Sequence, residues 1–229
     1  MQKSRPPEER AATPPKRGRG RPRAFDRDAA LEEAVRLFWR KGFDATSIAD
    51  LTAAMGIGAP SLYAAFGSKE ALYAEALRCY ERRYGGAAWR RFAAARTARG
   101  AVEGLLMDSA AALTSGKSGA SKGCMLVMSS IDRSEHPALC EAVRASRQAA
   151  GDRLEARFAR AMEAGEIRRG AKPRALARYI QTVQSGMSIL ARDGASRQEL
   201  EAVARVAMAG WDATVLPMPV RTSGGSRAS

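Results

Sequence analysis

Long apolar runs are missing from this 229-residue chain. The longest, CMLVM at 124–128, falls far short of the roughly 20 residues needed to span a bilayer, so no membrane-crossing helix is expected. The N-terminus is basic but lacks the apolar stretch of about 7 to 15 residues and the small-residue cleavage site of a signal peptide. Cysteine is scarce as well. Cys79, Cys124 and Cys140 form an odd, scattered set, which fits reduced thiols better than a disulfide framework. The expected setting is the cytoplasm, with no membrane partner.

Histidine is scarcer still: His136 is the only one. A His-based triad would have to use it, and its neighbourhood offers no evident nucleophile. No H-E-x-x-H, C-x-x-C or G-x-S-x-G is found. TSGKS at 114–118 is a partial phosphate-loop match, but Ala111 stands where that motif needs glycine, and no strand pattern precedes it. No enzyme activity, metal or cofactor is expected. His136 precedes Pro137 at an expected helix start, where it should cap or face solvent.

Negative charge is the third shortage. Asp and Glu number 24 against 38 Lys and Arg, a net charge of +14 and a pI near 10.5. Such a molecule is drawn to polyanions, nucleic acid first. The excess is dense in KRGRGRPRAFD at 16–26, with five basic side chains in eight positions. That run reads as a solvated tail or as a nucleic-acid-binding arm, and its composition does not choose. Residues 1–24 carry too few large apolar side chains to offset ordering entropy, so they are expected to be disordered alone, as is the tail 217–229.

Between the tails, apolar residues recur at helical spacing: Leu31, Ala34, Val35, Phe38; Leu154, Phe158, Met162; Leu176, Ile180, Val183, Met187; Leu200, Val203, Ala207, Trp211. Strand alternation is missing, so the expected fold class is all-α. Ser68 can cap a helix starting at Lys69, expected to run to about Tyr84 and end at Gly85 and Gly86, dividing the chain into units 25–84 and 85–216. In ATSIADLTAAMGIGAPSLYAAFGSKEAL, 45–72, two short amphipathic pieces at 47–55 and 60–66 are separated by GIG, the spacing of a helix-turn-helix. Gly56 suits the left-handed stop of the first piece. Leu62 and Phe66 anchor the second, leaving Ser61, Tyr63, Ala64 and Ala65 toward solvent or a groove.

From Asp28 to about Tyr80 the chain resembles the DNA-binding domain of the TetR/AcrR one-component regulators, since SLYAAFGSKEAL reproduces their Leu-Tyr-x-x-Phe-x-x-Lys-Glu-x-Leu pattern. The resemblance implies an N-terminal three-helix helix-turn-helix domain joined to a C-terminal helical domain that binds a small-molecule effector and forms a homodimer. It further implies that Thr46 and Ser47 meet a phosphate at a helix N-terminus, that Pro60 and Ser61 open the recognition helix, and that Tyr63 and Lys69 contact the backbone of double-stranded operator DNA. Gly58, Ala59, Ala64 and Ala65 depart from the polar residues many members carry, so readout should lean on thymine methyls and DNA shape. RGRPR at 19–23 has an AT-hook-like core, and Arg19, Arg21 and Arg23 are candidates for minor-groove insertion or for non-specific phosphate contact.

The last two helices, 174–192 and 197–215, correspond to the family's dimerisation pair. Gly186 and Gly210 within them cost about 1 kcal/mol each against alanine, so a close crossing or simple tolerance is expected. Leu105, Met125, Met128, Ile131, Phe158, Met162 and Met187 can line an apolar effector cavity or be plain core. Cys124 precedes an expected helix, where a thiol is either structural or activated. The expected function is a ligand-responsive repressor on a pseudo-palindromic operator. The alternative is an architectural A·T-rich DNA-binding protein with no effector, for which a helical domain of more than 100 residues has little use.

Overall fold

A computed structural model describes residues 26–115 and 122–215. Arg19, Arg21 and Arg23 lie outside the described residues. Those described form ten α-helices and no strand: α1 Arg27–Lys41, α2 Ile48–Met55, α3 Ala59–Phe66, α4 Lys69–Tyr80, α5 Gly86–Ala94, α6 Ala98–Thr114, α7 Met125–Met128, α8 Pro137–Glu163, α9 Pro173–Arg192 and α10 Arg197–Val215.

Helix starts follow the side chains that can satisfy orphan amides. Asp26 accepts from Asp28 and Ala29, Ser47 from Asp50, Ser68 from Ala71 and Thr97 from Gly100. Pro137 and Pro173 sit in first turns, where the missing N–H has no partner to lose. Gly56, at φ 66°, stops α2 in the left-handed conformation and returns its amide to Thr52.

Two apolar cores result. In the head, Leu31, Val35, Phe38, Leu51, Leu62 and Tyr73 from α1 to α4 are buried together. In the body, Leu105, Leu154, Phe158, Ile180, Met187 and Trp211 from α6, α8, α9 and α10 close a second cluster. The head core also takes Met125, Leu139 and Val143, so α7 and the start of α8 pack on the head although they come late in the chain.

Gly85 and Gly86 do not end the fourth helix. Their φ values of −63° and −65° are right-handed, and a π-helical turn, Glu81–Gly85, carries α4 directly into α5. The cost of two helical glycines, about 1 kcal/mol each, is opposed by Tyr84, whose ring lies 5.2 Å from Trp39 and 5.5 Å from Tyr80.

Other glycines mark tight contacts. A Cβ on Gly104 of α6 would stand 2.6 Å from the Arg91 Cβ of α5, and one on Gly151 of α8 would stand 2.9 Å from the Gln181 amide oxygen of α9. Gly210 fits the expected close crossing, with the Tyr179 hydroxyl 3.2 Å from its would-be Cβ, whereas Gly186 meets nothing within 4 Å inside the protomer. Gly104→Ala should lower the unfolding free energy by about 1–3 kcal/mol through overpacking. Gly86→Ala, with open space at its Cβ position, should raise it by up to about 1 kcal/mol. Urea denaturation of both variants checks this, and equal losses would contradict the packing described.

Candidate nucleic-acid interface and interior cleft

Helix α3 is held from one side. Leu62 has no exposed surface and Phe66 very little, while Arg27 clamps the helix end from α1. Its guanidinium meets both Glu75 oxygens of α4 at 2.7 and 2.8 Å, donates to the Ala65 carbonyl at 3.2 Å, and lies 4.4 Å from the Phe66 ring centre. The bond from Arg27 holds the Glu75 carboxyl below the usual range. Gly58, Pro60, Ser61, Tyr63 and Ala64 are exposed on the free side, and Ala59 is half-buried. No side chain caps the α3 N-terminus, which leaves its positive end open to an anion.

The start of α2 is furnished differently. Thr46 is fully buried and its hydroxyl donates to the Gly42 carbonyl at 2.6 Å. The phosphate contact expected of Thr46 is therefore corrected: its hydroxyl is spent closing the turn between α1 and α2. Ser47 is exposed and forms a capping box with Asp50, which also takes the Lys41 ammonium at 2.9 Å. The Lys41 bond first, then those from Ser47, hold the Asp50 carboxyl far below its ordinary range. Lys69, half-buried at the start of α4, places its ammonium 4.2 Å from the Phe43 ring centre.

His136 neither caps α8 nor faces open solvent, in contrast to the expectation. Its ring packs edge-on against Phe43 at 4.8 Å, and Nδ1 lies 3.5 Å from Glu70. A buried aromatic platform supplies the reason, because Phe43 also stacks with Tyr73 and Phe38.

A cleft of about 1700 Å³ lies between head and body. One wall is aromatic, with Trp39 of α1, Tyr80 of α4, Tyr84 of the π turn and Trp89 of α5. The other is polar, with Ser109 of α6, Arg147 of α8, and Arg178, Gln181 and Gln184 of α9. Burial first, then the neighbouring Cys124, pushes the Tyr80 phenol far up, so it stays neutral.

Head and body meet at a joint beside this cleft. The Trp39 indole donates to the Gly123 carbonyl at 3.1 Å, and the Cys124 amide donates to the Ser188 hydroxyl of α9 at 2.8 Å. From the end of α9, Arg192 donates to the Trp39 carbonyl at 2.6 Å and to that of Arg40 at 3.4 Å. A cation there meets the negative end of the α1 dipole.

Residues 30–76, the head helices just described, match the family model for bacterial regulatory proteins of the tetR family. Across nearly the whole chain, 36% of 199 residues are identical to the HTH-type transcriptional repressor ComR of Escherichia coli K12, covering 86% of this chain and 93% of ComR. The chain belongs to the TetR family of transcriptional regulators. A 61-residue stretch is 52% identical to the repressor BdcR of the same organism, covering 27% of this chain and 31% of BdcR. Among solved structures, a cysteine-substituted form of the TetR regulator CifR, complexed with 26-base-pair operator DNA, superposes with a TM-score of 0.77 at 37% identity, over 83% of this chain and 100% of CifR.

In this TetR-family chain the expected effector residues divide. Of them, only Cys124 borders the large cleft. Leu105, Phe158 and Met187 are fully buried, with Met162 packed against the same body core. Met125 and Met128 face a smaller cavity of about 280 Å³ beneath Trp39 and Tyr73, and Ile131 packs on the head core. The apolar stripe is core, because helical periodicity marks the side that turns inward and not the side that borders a void. The cleft residues Trp39, Arg147 and Arg178 carry no local signal, and neither does the clamp residue Arg27; the three cleft residues come together only through long-range packing.

Because Asp50 is held below its unfolded value of about 3.9, its stabilising effect is present above that pH and lost as pH falls through the folded value. Asp50→Asn should therefore be less stable than the wild-type chain at pH 7, with the gap narrowing below about pH 4. Urea unfolding at both pH values reads this, and a gap that stays constant would contradict the Lys41–Asp50–Ser47 arrangement.

Proposed function

We propose that this chain is a homodimeric repressor that binds a pseudo-palindromic operator and is released when a small-molecule effector enters the cleft. The likeness to CifR, which is solved on operator DNA, is the observation that carries the reading. The repressor ComR, matched over 93% of its length, supports the sign of regulation. The exposed side of α3 then enters a major groove, with Tyr63 and Lys69 on flanking phosphates and Ser47 at the α2 start. Ser61, Ala64 and the backbone from Gly58 through Pro60 lie against base edges. Dimer symmetry sets two such helices about 34–36 Å apart.

The unpartnered apolar side chains of α9 and α10 support the dimer. Val206 is 74% exposed, Ile189 50% and Leu190 44%, more than a lone helix pair should leave in water. The cleft supports an effector over the architectural alternative, since it has room for a molecule that fills the ~300–1,000 Å³ of an ordinary ligand pocket. Its aromatic residues run from α1 and α4 of the head through the π turn to α5, so a bound molecule can favour one head position. Moving the population from 99:1 to 1:99 requires a difference of about 5.5 kcal/mol between the two states.

Tyr63→Ala and Lys69→Ala should each weaken binding to operator and to random duplex by a similar factor, about tenfold for a charge-assisted phosphate contact. Fluorescence anisotropy measures it, and a loss confined to one base pair would contradict a phosphate role. Removal of residues 1–24 should flatten the salt dependence of binding by about 0.9 for every phosphate that the arm neutralises. In sedimentation, Val206→Asp combined with Ile189→Asp should convert dimer to monomer; an unchanged dimer would place the interface elsewhere.

A further inference from the structure

The cleft wall carries charge of one sign in excess. Six arginines border it against two carboxylates, Glu81 and Asp108, and Asp108 is held by Arg91 at 2.7 Å. Arg197 has its own partner in Glu201 at 2.6 Å, and Arg83 in Glu32. Arg90, Arg147, Arg153 and Arg178 have no carboxylate partner among the described residues. Arg147 donates to the carbonyls of Leu126 and Ser129, Arg178 donates to the Gln148 and Gln181 amide oxygens, and Arg153 lies 4.8 Å from the Trp89 ring centre. Neutral acceptors and rings orient a guanidinium without cancelling its charge.

Arg147 and Arg178 both border the cleft, from the neighbouring helices α8 and α9. The Gln181 amide donates to the Arg147 carbonyl at 3.0 Å while Arg178 reaches Gln148, so α8 and α9 are stitched side by side at this level. Gly151 of α8 faces the Gln181 amide, which a Cβ there would crowd at 2.9 Å. Tyr84 and Trp89 border the same cleft with the buried Trp39 and Tyr80, and Gln184 donates to the Ser109 hydroxyl.

We propose that the cleft selects an organic anion with a flat apolar body: the anionic group, a carboxylate or sulfonate, pairs with Arg147 and Arg178, and the body lies on the half-buried Tyr84 and Trp89. This rests on the cleft being the effector site and names the chemistry of what enters. The guanidinium fork matches a planar or tetrahedral oxyanion, and ring faces supply apolar area to a flat partner. A cationic or neutral effector would leave the excess positive charge uncompensated beside it.

The test uses two dyes of the same ring system, anilinonaphthalene sulfonate and the uncharged phenylnaphthylamine, titrated into the full-length dimer. Trp39 and Trp89 border the cleft, so quenching of tryptophan emission reports occupancy in place. The sulfonate should bind at least about tenfold more tightly than the neutral dye, the worth of one charge-assisted contact. Arg178→Gln should remove most of that preference and leave the neutral dye unaffected. Because Arg147 also braces α7, its variant is Arg147→Lys, which keeps the charge and should lose only part of the preference. Arg144→Gln, a substitution at an exposed arginine paired with Glu141, should change nothing.

Equal affinity for the two dyes, or a sulfonate preference that survives Arg178→Gln, would overturn the proposal, as would the absence of quenching by either dye. Operator release is read separately by anisotropy. A sulfonate that binds through Arg178 without releasing DNA upholds the anion selectivity and counts against the effector reading. Release by the neutral dye alone does the reverse.

Discussion

The last turn of α1 is tied to the body by a side chain from α9. Its backbone carbonyls at Trp39 and Arg40 are capped by Arg192, a residue roughly 150 positions later, and the Trp39 indole is tied to Gly123. A helix C-terminus leaves carbonyls that need donors. Here the donor comes from α9, whose outer side carries the exposed apolar residues Ile189 and Leu190. One guanidinium thus touches both the reading head and a helix proposed to pair with a second copy. Trp39 also borders the cleft, so the cleft and the head share a side chain.

The same economy explains why the head is not a separate unit. Met125, Leu139 and Val143 complete its core from α7 and α8, and Tyr73 of α4 shares a 2.6 Å hydrogen bond with Ser129. Burial, first of all, raises the Tyr73 phenol above its ordinary value, which keeps that bond between neutral groups. Movement of α4 relative to the body has to break or carry these contacts together. The π turn after Tyr80 is the one place along this rod where the helix already departs from regular bonding, and such turns recur at functional sites.

Much of this is legible in the residues, for reasons that are local. Ser47, Gly56, Ser68 and Pro137 each act on the backbone within a few positions, so the helix ends they predict are the ones observed. The Leu62 and Phe66 pair identifies the anchored side of α3 because helical spacing alone decides it. Thr46 misleads because a hydroxyl at a helix start reads the same whether it faces a phosphate or the Gly42 carbonyl. The apolar set expected either to line a cavity or to be core lies mostly in the core. Leu105, Phe158 and Met187 are conspicuous by hydrophobicity and end in the core, whereas a cavity is defined by what fails to fill it, and arginines at 147 and 178 look like any solvated helix surface until two helices set them side by side.

The Arg192 cap holds the end of α1, and with it the head, against the body. Amide hydrogen exchange followed by mass spectrometry, comparing the wild-type chain with Arg192→Met, tests it directly. Methionine keeps the aliphatic stem and removes the donors to Trp39 and Arg40. Faster exchange across α1 and α4 in the variant, with α6 and α10 unchanged, is the expected result. Protection of α1 and α4 that stays at the wild-type level would contradict the claim.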